Sequence, residues 1–325
     1  MERIWRVGRR RLLQSVPVML IIMVGMFLLL QLAPGDTVDA LVAQMGGADA
    51  AYIERMRREY GLDQPVWTQL GLYFWKLVRF DFGYSFIYEQ PVIQVILDRL
   101  STTVLLMTAS VSFAFAIGIV LGVTAARRPN GTADNTISTL GLLFYATPSF
   151  WLGLMLIVVF SVKLAWLPVG GVGTVGMPLF GLDKVWDTAQ HLLLPTLSLS
   201  LIFLAIYFRL MRASMLEVST LDFVRTARAK GAGETRILYR HVLRNALLPV
   251  VTLLGLQFST MMGGSVVVET VFSLPGLGRL AYESVVQRDL NTLLGIVFVG
   301  SILVIVVNFT VDLVYSWLDP RIDGR

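Results

Sequence analysis

The chain has 325 residues, of which 55% are hydrophobic and only 15% charged, with a mean hydropathy of +0.70. A soluble domain of this length needs far more charge to cover its surface, so the composition excludes that class and predicts an all-α polytopic membrane protein. Basic loops account for the formal net charge of +5 without nucleic acid, and the absence of cysteine excludes disulfides and thiolate metal sites.

Six stretches carry the roughly 20 largely apolar residues that a transmembrane helix requires. They lie at about residues 12–33, 100–126, 137–164, 189–211, 247–272 and 290–318. The first follows Arg3, Arg6, Arg9, Arg10 and Arg11. Its long apolar run ends in Ala33-Pro34-Gly35-Asp36 rather than a small-x-small pattern, which predicts an uncleaved anchor over 1–33.

Residues 34–99 form a non-spanning insertion. A charged helix over 51–60 is stopped by Gly61. Asp63 is placed to cap a second helix with Pro65 in its first turn, and Val66, Leu70, Phe74 and Leu77 share one face of it. Tyr73, Phe74, Trp75, Phe80, Phe82, Tyr84, Phe86 and Tyr88 then crowd together. They suit an interfacial aromatic belt or a seat for an external partner, and the two roles are compatible.

Residues 100–318 hold the remaining five spans. Gly118-x-x-x-Gly122 permits close helix approach. Pro148 and Pro195 are expected to kink or break the third and fourth spans. The run from Gly170 to Gly176 has no lysine to hold phosphate and reads as a flexible loop.

With the N-terminus inside, the cytoplasmic segments also take Arg127 and Arg128, then Arg209, Arg212, Arg225, Arg228, Lys230, Arg236, Arg240 and Arg244, and finally Arg321 and Arg325. That is 17 of the 27 basic residues, so both termini, the 319–325 tail and the loop 212–246 are assigned to the cytoplasm.

The loop 212–246 is a polar island between two spans, patterned as two short amphipathic helices broken at Ala232-Gly233. Asp222 near the start of the first, with Arg228 and Lys230 near its end, complements the helix dipole. Gly231 and Gly233 allow it to terminate and reverse. The small residues Ala227, Ala229 and Gly231 fit it to a groove on another protein. In the second, Arg236, Arg240 and Arg244 recur at i, i+4 and i+8 as a basic face near anionic headgroups.

Chemistry of its own is missing. There is no P-loop motif and not even a Gly-Lys dipeptide. His191 and His241 have no partner at metal-ligand or triad spacing, so no catalytic or metal-binding residue is assigned. The two carboxylates within spans, Glu269 and Asp312, stand towards their ends rather than at the midplane position a proton relay favours. The end of the fifth span, with Met261, Met262, Gly264, Ser265 and Glu269, is the candidate gate or substrate-contacting wall.

These stretches resemble a known family. Thr226-Ala-Arg-Ala-Lys-Gly231 and Arg240-His-Val-Leu-Arg-Asn-Ala-Leu-Leu-Pro249 are similar to the cytoplasmic loop of integral-membrane permeases of binding-protein-dependent ABC transporters, of the dipeptide/oligopeptide/nickel class. The acidic first residue of the general loop pattern is replaced here by Arg225. Leu32-Ala-Pro-Gly-Asp36, Tyr60-Gly-Leu-Asp-Gln-Pro65, Phe80-Asp-Phe-Gly-Tyr-Ser85, Pro148-Ser-Phe-Trp151, Glu269-Thr-Val-Phe-Ser-Leu-Pro-Gly-Leu-Gly278 and Leu318-Asp-Pro-Arg-Ile322 extend the likeness over almost the whole chain.

The resemblance implies an importer of short peptides in a bacterial inner membrane. This chain would pair with a second, similar permease chain, with two ATP-binding subunits below and a solute-binding protein outside. ATP and Mg would belong to the ATPase subunits, with no cofactor in this chain. Asp222, Phe223, Val224, Arg225, Thr226, Ala227, Arg228, Ala229, Lys230, Gly231, Ala232 and Gly233 would form the coupling helix that docks on one ATPase. A nickel or nickel-chelate importer is the alternative within the class. A membrane scaffold or receptor that recruits a soluble partner is the alternative outside it.

Overall fold

The computed structural model describes residues 2–32, 38–39, 42, 46–47, 49–59, 61–85 and 87–318, and among these the side chains of all but 2–12, 30, 59, 312 and 314–318. The Ala33-Pro34-Gly35-Asp36 run, Tyr60, Phe86, the 319–325 tail and the side chains of Asp312 and of the five N-terminal arginines therefore lie outside the described residues. Contacts divide the chain into two compact units, residues 1–101 with 280–305 and residues 102–279 with 306–325.

The first unit contains α1 (Glu2–Leu32), α2 (Ala50–Glu59), α3 (Val66–Val78) and a short hairpin of β1 (Tyr84–Ser85) and β2 (Gln90–Pro91). It also takes the first turns of α4 (Val92–Arg127), most of α11 (Leu277–Val286) and the first half of α12 (Leu290–Leu318). Gly61, at φ +71°, follows the end of α2 in the left-handed region where glycine is unstrained.

Pro65, not Asp63, occupies the N-cap of α3, and no side chain bonds to that helix end. Asp63 instead accepts from the Gln64 amide. Of the predicted face only Leu77 is fully buried, while Val66 remains about half exposed. α3 is held to α1 by the Phe27 and Tyr73 rings, 5.8 Å apart, and by a 2.9 Å bond from Gln31 to Gln69. Burial pushes the Tyr73 phenol up to about 12.

The hairpin departs from the purely helical expectation. It pairs Tyr84 with Pro91 and Ser85 with Gln90, and its turn places Glu89 at φ +51°. The aromatic run splits between two environments. Phe82 is buried with Phe298, their ring centroids 5.6 Å apart, whereas Trp75 on α3 is exposed.

The second unit is built around α7 (Gly181–Ser219), which packs on α5 (Thr132–Ala146), α6 (Ser149–Leu156) and α10 (Leu243–Val271). Its inward face carries Leu199, Tyr207, Phe208, Met211 and Met215, all at most 2% exposed. α4 lies against it through the two glycines noted above. A Cβ at Gly118 would stand 2.7 Å from the Tyr207 Cβ, and one at Gly122 2.6 Å from the Met211 Cβ. The glycines are what let these backbones approach.

α6 continues as a π-helix over Ile157–Lys163. α9 (Glu234–Arg236) passes through a π-helical turn, Ile237–Val242, into α10. The second amphipathic helix of the island is thus the opening of a long helix, not a separate element.

Among the described residues four helices are long and apolar enough to cross a membrane: Val92–Arg127, Gly181–Ser219, Glu234–Val271 and Leu290–Val311. A fifth crossing is counted if Thr132–Ala146 and Ser149–Lys163 are one span, for they bend by 105° at Thr147-Pro148. The break expected at Pro148 is present, because the proline clashes with a helical preceding residue and Thr147 adopts ψ 127°. Pro195 breaks nothing, and α7 runs through it as one helix of 39 residues. At 1.5 Å per residue that is about 58 Å, well beyond the hydrocarbon core. The first apolar stretch lies within α1, whose 31 residues include the apolar segment Leu13–Leu29.

The glycine-rich loop is less free than its sequence suggests. Gly171 donates to the Phe272 carbonyl at 2.9 Å, and a Cβ on Gly170 would sit 2.2 Å from that oxygen. Thr174 is tied by both N–H and hydroxyl to the Asp187 carboxylate.

Candidate functional site

The island folds as α8 (Asp222–Ala229), a helix of two turns standing between two much longer ones. Asp222 occupies its first turn and Arg228 its last, the arrangement the dipole favours. It ends in a Schellman motif. Gly231 adopts φ +78°, its N–H reaches the Arg228 carbonyl at 3.0 Å, and the Ala232 N–H reaches the Ala227 carbonyl at 3.2 Å. The reversal is clamped by a fork from the Arg228 guanidinium to Glu234, at 2.8 and 3.2 Å.

Val224 alone among residues 222–229 is fully buried and anchors the helix. Leu221 and Phe223 remain exposed, as do Arg225, Arg228 and Ala229, and Ala227 is half-buried. A Cβ on Gly231 or Gly233 would meet nothing within 4 Å. Two turns of helix with one buried anchor cannot stabilise themselves in water. Their order comes from the Schellman turn, the Arg228–Glu234 clamp and Val224, and the outward surface is left free to meet another molecule.

Around the island the basic residues converge. The Arg127 guanidinium, at the end of α4, lies over the Tyr239 ring at 5.8 Å. Arg212, near the end of α7, grips Asp134 with two bonds of 2.6 and 2.7 Å, and Asp134 also accepts the Asn130 N–H at 2.8 Å. Asp134 is 2% exposed, so this forked pair welds the loop after α4 to the end of α7. From the sequence Arg212 counts only as a cation that sets orientation, and Asp134 does not stand out as its partner. The available signal was that Asp134 is the only carboxylate between Asp98 and Asp183.

The residues proposed as a gate occupy the far part of α10, where most of them turn inward. Met261, Ser265 and Glu269 are buried, Met262 is half-buried, and Gly264 lies against Leu199. Glu269 is wholly enclosed. Its carboxylate accepts the Thr103 hydroxyl at 2.7 Å and the Arg279 N–H at 2.9 Å, and its carbonyl accepts the Leu274 N–H at 2.8 Å. Gly276 and Gly278 are glycines because a Cβ there would fall 2.3 Å and 2.9 Å from that carboxylate. Glu269 braces the turn that leads from α10 to α11.

The opposite stripe of α10 is open. Thr252, Leu256, Ser259, Thr260, Gly263, Val267 and Thr270 are all exposed and share one helical face. The three threonines satisfy their hydroxyls by donating to the carbonyl four residues back, at 2.7–3.0 Å. The sequence signals Met261 to Glu269 but not this exposed stripe, because small polar residues at helical spacing carry no strong hydropathy signal.

His191 is buried, with Nδ1 2.8 Å from the Asp187 carbonyl. Among the described residues no group of three or more His, Asp or Glu could hold a metal ion.

Comparison with known proteins gives the same picture for nearly the whole chain. Residues 118–324 match the family model "Binding-protein-dependent transport system inner membrane component", and residues 4–107 match its N-terminal companion, "Binding-prot-dependent transport system membrane comp, N-term". The oligopeptide transport system permease protein AppB of Bacillus subtilis is 40% identical over 316 residues, covering 97% of this chain and 98% of its own. The glutathione transport system permease protein GsiC of Pectobacterium atrosepticum is 40% identical over 313 residues, covering 96% and 97%. Among solved structures, an inward-facing conformation of the MetNI methionine ABC transporter shares the fold with a TM-score of 0.56 at 20% identity, over 70% of this chain and 97% of that one.

Proposed function

This chain belongs to the binding-protein-dependent transport system inner membrane components, the permeases of ABC importers, and on that premise we propose that it forms half of the pathway by which short peptides enter a bacterial cell. The peptide class rests on the names of relatives that match end to end. A second permease chain would complete the pathway, two ATP-binding subunits would supply ATP and Mg, and a solute-binding protein would deliver the substrate. The reading has six spans in the inner membrane, the first being residues 12–33, with both termini and the island on the cytoplasmic side.

The observation that carries the mechanism is α8, an ordered helix with one buried anchor and an exposed outer surface. Residues 222–233 are the coupling element, and Ala227, Ala229 and Gly231 keep its surface low enough to enter a groove on an ATPase subunit. ATP can drive the pathway only by binding two arrangements of the complex with different affinity. α8 transmits that difference, because it sits directly before the long helix 234–271.

The pathway wall is the open stripe of α10, from Thr252 to Thr270. Its self-satisfied hydroxyls and bare Gly263 offer a smooth, weakly polar surface to a passing peptide. Met261, Met262, Gly264, Ser265 and Glu269 then support that wall from behind.

Uptake of a labelled dipeptide and of Ni²⁺ in cells lacking this chain tests the substrate class. Loss of dipeptide uptake alone supports the proposal. Loss of Ni²⁺ uptake alone assigns the chain to a nickel importer.

A further inference from the structure

Where the long helix 234–271 begins there is an open groove of about 480 Å³, lined by Tyr239, Arg240, Leu243, Arg244 and Leu247. Arginine and leucine alternate along the helix as Arg240, Leu243, Arg244 and Leu247, with both arginines exposed and both leucines half-buried, each leucine three residues nearer the span than an arginine. A third guanidinium, that of Arg127, is held at the rim over the Tyr239 ring. Neither Arg240 nor Arg244 forms an ion pair among the described residues, although Arg212 and Arg228 nearby in sequence both do. Cations without counterions above an apolar floor, at the point where a helix enters a membrane, suit one class of ligand.

We infer that this groove is a binding site for an anionic phospholipid. Its phosphate is held by Arg240 and Arg244, and its acyl chains lie along Leu243 and Leu247. An acidic protein surface would satisfy the arginines but leave the leucines facing water. A free phosphate would leave them unused. A lipid satisfies both, and juxtamembrane arginines attract anionic headgroups strongly enough to select them. The site lies on the helix that follows α8, so an occupied groove fixes the end of that helix against the membrane surface while α8 is moved. This inference rests on the reading that residues 234–271 cross the membrane.

The test is lipid retention by the purified full-length chain in detergent, read by native mass spectrometry. The probes are phosphatidylglycerol, phosphatidylcholine and soluble glycerol phosphate. The wild type is expected to retain phosphatidylglycerol over phosphatidylcholine by a factor on the order of ten, and this preference should weaken as ionic strength rises. The R240Q/R244Q variant should lose the preference, while R225Q, an exposed change outside the groove, should keep it. Glycerol phosphate should not displace the lipid. An unchanged preference in R240Q/R244Q, a preference insensitive to salt, or displacement by glycerol phosphate would each overturn the site. The readout needs neither ATPase nor substrate, so its failure leaves the transport reading intact, and a failed uptake assay leaves the groove intact.

Discussion

The Thr103 hydroxyl donates to Glu269 Oε1 at 2.7 Å and accepts the Leu277 N–H at 2.7 Å, which ties α4, the end of α10 and the start of α11 together at one oxygen atom. Glu269, the acid that the sequence offers as a substrate contact, is spent on this joint. Thr103→Val and Glu269→Gln should each lower stability in detergent by about 1–3 kcal/mol, the cost of leaving buried polar groups unpaired. The double variant should cost less than the sum, since both remove the same bond. Uptake of peptides with free and with blocked amino termini should fall together. A selective loss for free amino termini with unchanged stability would restore Glu269 as a contact residue.

A second expectation concerns the approach of α4 to α7. A Cβ at position 122 would meet the Met211 Cβ and, at 3.0 Å, the Phe208 carbonyl, neither of which is the far end of a flexible side chain. Gly122→Val should therefore destabilise the chain by roughly 1–3 kcal/mol through overpacking, seen as a lower midpoint of thermal unfolding. A midpoint equal to that of the wild type would show that these helices can separate without penalty.

The wall of α10 predicts the opposite pattern. Gly263 faces open space, so Gly263→Leu should leave thermal stability unchanged yet reduce dipeptide uptake several-fold, because the side chain protrudes from the exposed face. Met261→Ala, on the buried face, should cost about 2–5 kcal/mol of stability. Normal uptake by a stably inserted Gly263→Leu protein would remove this stripe from the pathway.

Much of this architecture is legible in the sequence, since hydropathy and breakers act locally. The apolar stretches, the turn at Gly231 and the break at Pro148 all follow from neighbours within a few residues. Pro195 shows the limit: the same residue type leaves α7 unbroken because its neighbours bury the helix on several sides. Thr103 with Glu269 and Asp134 with Arg212 are separated by 166 and 78 residues, and no local pattern announces such pairs. The order of the glycine-rich loop is hidden for the same reason, since Gly171 is held by Phe272, 101 residues away along the chain. The burial of Met261, Ser265 and Glu269 and the exposure of Thr252 to Thr270 are likewise hidden, because hydropathy does not say which side of a membrane helix meets lipid, protein or water.

The coupling element gives a graded prediction. Gly231→Leu combines bulk with the strain of a left-handed conformation, about 1–2 kcal/mol, so a defect there has two explanations. Ala229→Leu adds bulk alone on an exposed helical position. It should leave the chain inserted and folded while dipeptide uptake falls at least tenfold, since a leucine cannot enter a groove shaped for alanine. Gly231→Asn, which tolerates the conformation, should retain most activity. Equal uptake in Ala229→Leu and the wild type would place the contact elsewhere.

The chain contains no cysteine, so a single Ala229→Cys can report on α8 through its reaction with a membrane-impermeant maleimide. The expected result is labelling in inverted membrane vesicles, none in intact cells, and protection of the inverted vesicles when the two ATP-binding subunits are bound. Labelling from outside intact cells, or labelling from the inside that the ATPase subunits leave unchanged, would contradict the view that this permease is driven through α8.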